Sequence, residues 1–63
     1  MTINELINEL KHNNAKLKII NNRKDVLFEG TVGVFKNSVL RQKIGSELII
    51  NISCTNGLFE VSI

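Results

Sequence analysis

The chain reads as one small α+β domain over residues 1–63, of αββαββ order, with a four-stranded antiparallel sheet and helices packed on one face. Three observations predict this. A capped amphipathic helix opens the chain, an Asn-Gly turn joins two alternating segments at its end, and further strand-like segments and a short second helix lie between them.

Thr2-Ile3-Asn4-Glu5 has the S/T-x-x-E form of a capping box, with Met1 and Leu6 at the positions of a hydrophobic staple. Ile3, Leu6, Ile7 and Leu10 follow at i, i+3, i+4 and i+7, which makes a single apolar stripe. Glu5 and Glu9 lie early, Lys11 and His12 late, in the sense the helix dipole favours. Asn13-Asn14 tolerates the left-handed conformation that ends helices, so the spacing predicts a helix over residues 3–12.

Lys16-Leu17-Lys18-Ile19 alternates as a half-buried strand does, with Leu17 and Ile19 inward. Asn21 to Asp25 is polar and turn-prone, and Val26 to Val34 is β-branched and aromatic, which predicts a first hairpin with a bend or bulge at Gly30 and Gly33. Asn37-Ser38 is placed to cap a short helix carrying Val39, Leu40 and Ile44, with Gly45 closing it.

Asn56-Gly57 is the strongest two-residue hairpin signal, because both central positions of a type I′ turn need positive φ. The turn sets Cys54 against Phe59, Ile52 against Val61 and Ile50 against Ile63. All six are apolar, while Asn51, Ser53, Glu60 and Ser62 take the other face. That pattern assigns Ile50, Ile52 and Cys54 to the core. One possible closure of the four strands is a circularly permuted ferredoxin-like arrangement, which is a topological analogy and implies no function.

Composition narrows the function classes. A domain this short buries only about 60% of its unfolded surface and usually needs a disulfide, a metal or association to gain stability. One cysteine and one histidine leave no intramolecular disulfide and no zinc-ligand cluster, so association with a protein, as a homo-oligomer or with a host protein, is the expected remedy. No apolar run reaches the roughly 18 residues a membrane span needs, no signal peptide is visible, and a lone thiol suits a reducing, cytoplasmic setting. A formal charge of +2 is too small to dictate a nucleic-acid partner.

No catalytic constellation is visible, so no enzyme and no cofactor are expected. Cys54 reads as a small core residue, because a nucleophilic cysteine needs a nearby base and access. His12 has no second histidine to work with and is explained by its place at a helix end. The six carboxylates are dispersed, and the four glycines form neither a G-x-G-x-x-G nor a P-loop pattern.

Two surface readings remain. Ile20, Leu27, Val34, Ile49 and Leu58 fall on or near the face opposite the assigned core, and several such residues on one sheet face would mark a protein interface. Alternatively, Lys16, Lys18, Arg23 and Lys24 form a basic strand edge suited to nucleic-acid phosphates. With no Trp or Tyr in the chain, that edge lacks a stacking platform for bases.

The opening Met1 to Lys11 and the later Leu27-Phe28-Glu29-Gly30-Thr31-Val32 resemble small uncharacterised proteins from phages and mobile elements of low-GC Gram-positive bacteria. The first dozen residues are also similar to the start of a phage-encoded Cas9 inhibitor, of a class that is typically acidic where this chain is mildly basic. The resemblance implies a non-enzymatic accessory protein that works by binding. It carries over no functional residue.

Overall fold

A computed structural model describes all 63 residues. Its elements are α1 (Ile3–Glu9), β1 (Lys16–Ile20), β2 (Val26–Thr31), α2 (Val32–Lys36), α3 (Leu40–Ile44), β3 (Asn51–Thr55) and β4 (Leu58–Ser62). The α+β class follows directly, and no helix is long and apolar enough to cross a membrane.

The start of α1 is the capping box its sequence encodes. The Glu5 backbone N–H donates to Thr2 Oγ1 at 3.2 Å, and the Thr2 N–H donates to Glu5 Oε1 at 3.0 Å. Met1 is 52% exposed, and its carbonyl accepts from Ile49 N–H at 2.8 Å. The helix stops at Glu9 rather than at residue 12, with Leu10 already extended. The cation near this end comes from α2 rather than from Lys11 or His12. Lys36 Nζ donates to the Leu10 carbonyl at 3.4 Å and to Asn13 Oδ1 at 3.0 Å.

The first hairpin is β1–β2, with a register shift where Ile19 faces Phe28 but Ile20 faces Val26. The strand does not continue to Val34. Thr31 Oγ1 accepts from Val34 N–H at 3.3 Å and turns the chain into α2, which buries Val32 and Phe35 on one side. β-branched residues here obey the cap rather than their strand propensity. Asn37 and Ser38 close α2 instead of opening α3: Asn37 Nδ2 donates to the Gly33 carbonyl at 3.1 Å and Ser38 Oγ to that of Phe35 at 2.8 Å. α3 therefore begins at Leu40 after an N-cap residue, Val39, that makes no side-chain bond, and Gly45 caps its end as expected.

The second hairpin has the register read from its turn, with Thr55 facing Leu58, Cys54 facing Phe59 and Ile52 facing Val61. Asn56 and Gly57 take φ of 52° and 79°, the left-handed pair a type I′ turn requires.

The sheet corrects the expected all-antiparallel arrangement. Strand order is β2-β1-β4-β3, and the central pair β1–β4 is parallel, so the sheet is mixed. A permuted ferredoxin-like sheet would set β2 beside β4, whereas β1 lies there. Each hairpin is specified locally, but which strands meet between them is settled by burial. Leu17 and Ile19 of β1 are completely enclosed, and a strand so enclosed belongs in the centre.

One core results. Ile3, Leu6 and Ile7 of α1, Val32 and Phe35 of α2, and Leu17, Ile19 and Val61 of the sheet form its buried cluster, so the helices cover one sheet face. Coverage is incomplete. Val61 is buried, but its partner Ile52 is 39% exposed, Cys54 is exposed, and every residue of β3 is open to solvent. Ile50, which lies in a bend before β3, is 74% exposed. Alternation placed Ile50, Ile52 and Cys54 in the core. Helices this short reach over β2, β1 and β4 and leave β3 bare.

Candidate functional site

The five apolar residues expected to form an interface do not gather into one patch. Ile20 and Leu58 project from the outer sheet face but lie in different cross-strand rows. Between those rows runs a charged one, in which Glu29, Lys18 and Glu60 are neighbours on β2, β1 and β4. Leu27 and Ile49 are half-buried against the core, and Val34, 60% exposed, sits on α2.

The four basic candidates are also separated. β1 is a central strand, so Lys16 and Lys18 do not form an edge. Lys18 stands in register between Glu29 and Glu60, which offset its charge toward any phosphate. Arg23 and Lys24 are exposed in the loop at the far end of β1, about 13 Å along the strand from Lys16. Asn21 Oδ1 organises that loop by accepting from the Arg23 and Asp25 N–H groups, each at 2.9 Å.

The helical side carries a polar cleft of about 370 Å³ lined by Asn4, Lys36, Asn37, Ser38, Arg41 and Gln42. Arg41 is spent on structure there. Its Nε donates to Asn4 Oδ1 at 3.2 Å, Nη1 to the Lys36 carbonyl at 3.4 Å and Nη2 to Asn8 Oδ1 at 3.4 Å, so it ties α3 to α1 and to the end of α2. A second hollow, of about 290 Å³, brings Glu9, Lys11 and His12 beside Phe59. No group of three or more His, Cys, Asp or Glu side chains is arranged to hold a metal ion.

What remains is the open end of the sheet. Leu48, Ile50, Ile52 and Cys54 are alternate residues that span the bend at Ile50 and β3, and all four are exposed; Leu48 is 68% so. From Leu48 to Leu58 the chain carries no charged side chain at all. β3 also pairs on one side only, because it is the last strand of the sheet. A two-residue turn makes Thr55 and Leu58 a hydrogen-bonded pair. Alternation then points the backbone groups of Thr55, Ser53 and Asn51 toward β4 and those of Ile52 and Cys54 toward the free edge.

The two edges of the sheet differ. β2 carries Glu29 and a register shift near its start, both devices that discourage a further strand from joining. β3 has no charge, no proline and no irregularity between Asn51 and Thr55. Sequence alternation assigns the apolar side of this segment to the core, because it does not report how far a helical layer extends.

Compared with protein-family models, with curated proteins and with solved structures, the chain matches none of them.

Proposed function

We propose that this chain is a non-enzymatic accessory protein, of the phage or mobile-element kind its sequence resembles, that acts by binding another protein. The observation that carries the reading is the open strand β3, where unpaired backbone groups and the exposed side chains of Ile50 and Ile52 occur together. Main-chain hydrogen bonds to such an edge supply affinity, and the adjacent apolar side chains supply selectivity. The contact residues proposed are Leu48, Ile50, Ile52 and Cys54, in place of the scattered set expected from sequence. A nucleic-acid reading has less support, since Lys18 stands between Glu29 and Glu60 and Arg23 and Lys24 lie apart from Lys16.

The test is affinity capture from the native host using wild type and an Ile50→Lys/Ile52→Lys double variant. Both positions are exposed, so circular dichroism of the variant should match wild type. Proteins retained by wild type and lost by the variant support the proposal. An identical set of captured proteins on both, untagged copies of this chain counted among them, would reject it.

A further inference from the structure

We infer that the occupant of the β3 edge is a second copy of this chain, joined antiparallel about a two-fold axis that passes beside Ser53. The inference rests on the protein-binding reading above and names its partner.

Four features select a second copy. The free edge, Asn51 to Thr55, is uncharged, so two copies of a chain with a formal charge of +2 meet without like charges opposed at the contact. Between Asn51 and Thr55 this edge lacks the charge and the register shift that blunt the opposite one. Ser53 is the middle residue of the strand, and an axis there overlaps all five residues of both copies. In that register Ile52 and Cys54 of one copy face Cys54 and Ile52 of the other. These are the residues whose N–H and C=O groups point outward, so four hydrogen bonds close the pair.

The side chains match as well. Asn51 meets Thr55, and Ser53 meets Ser53, all neutral and able to hydrogen-bond across the strands. An axis perpendicular to the sheet keeps both helical layers on the same side, and the two four-stranded sheets become one of eight strands. The bare inner positions of β3 then form a single apolar floor between the two layers. A five-residue strand buries much less than the roughly 800 Å² per partner of a standard interface, so a dissociation constant on the order of 100 µM is expected.

Sedimentation of the full chain from about 10 µM to about 1 mM, the weak limit of specific association, tests the inference. A monomer–dimer equilibrium is expected. Cys54→Pro removes an N–H that makes no bond within the chain, so the fold should persist while association weakens roughly 25-fold, from two lost hydrogen bonds at about fivefold each. Cys54→Ser keeps the N–H and should dimerise like wild type. In that background Ser53→Cys should oxidise readily to a covalent dimer, since the axis sets it against its own copy in a non-hydrogen-bonded pair, while Thr55→Cys should not.

A chain that stays monomeric to about 1 mM overturns self-pairing, as does a dimer indifferent to Cys54→Pro or one that crosslinks through Thr55→Cys instead. The two readings fail separately. A strict monomer that still captures proteins through Ile50 and Ile52 leaves the binding reading standing and removes only the second copy.

Discussion

The ring of Phe28 meets the ring of Phe35 edge to face, with centroids 5.0 Å apart and planes inclined at 69°. The contact joins β2 to α2 across the Thr31 turn and holds the helix down on the sheet. Phe35 is fully buried and Phe28 only half so. Phe35→Ala should cost about 3–5 kcal/mol, comparable with the whole stability of so small a domain, and leave a largely unfolded chain at 25 °C. Phe28→Ala should cost clearly less. Urea unfolding followed by circular dichroism orders the two; a reversed order would mean that the Phe28 ring carries more of the core than its burial indicates.

The reciprocal bonds between Thr2 and Glu5 make stability depend on pH on the acid side. The Thr2 backbone N–H, and then its hydroxyl, hold the Glu5 carboxyl below the ordinary value of 4.5. A carboxyl lowered on folding contributes stability that is fully present above its unfolded pKa and is lost as pH falls through the folded one. The melting temperature should therefore fall below about pH 4.5, and Glu5→Gln should flatten that fall while keeping a capping side chain. Thr2→Ala should cost about 1 kcal/mol at neutral pH, the usual worth of a helix cap.

Two glycines should respond to alanine for different reasons. Gly57 sits at φ +79° with nothing near its missing side chain, so Gly57→Ala costs only backbone strain, about 1–2 kcal/mol. Gly45 has ordinary backbone angles but is buried, and a Cβ there would collide with the Arg41 carbonyl and the Asn4 amide. Gly45→Ala should reach or exceed the upper end of the roughly 1–3 kcal/mol that overpacking costs, because a backbone carbonyl cannot swing aside. Thermal melts of the two variants give the comparison, and equal losses would contradict the crowding at Gly45.

Ile52 and Ile19 flank Val61 on the same sheet face, but only Ile19 lies under the helices. Ile19→Ala should cost about 2–5 kcal/mol. Ile52→Ala should cost about 1 kcal/mol, since much of that side chain already meets water. Sequence alternation alone would rank the two alike, so denaturant midpoints for this pair measure directly where helical cover ends.

Much of the molecule was legible in order along the chain. The Thr2–Glu5 box, the Asn56-Gly57 turn and the register of the last hairpin are short-range features, each set by residues within a few positions of one another, and all three are present as read. Errors appeared where local signals competed. Val32 and Val34 favour a strand, yet the Thr31 cap turns them into a helix, and Lys36, remote in sequence, supplies the cation near the end of α1.

By itself, then, the sequence determined the α+β class, the two hairpins and the absence of charge across residues 48–58, because these depend on neighbours along the chain. Only the tertiary structure decided that β1 lies parallel to β4 in the centre, and that β3 ends up bare at the edge. Alternation reports which side chains share a face. Whether a face is covered depends on how far short helices reach across the sheet, and that distance is a property of packing.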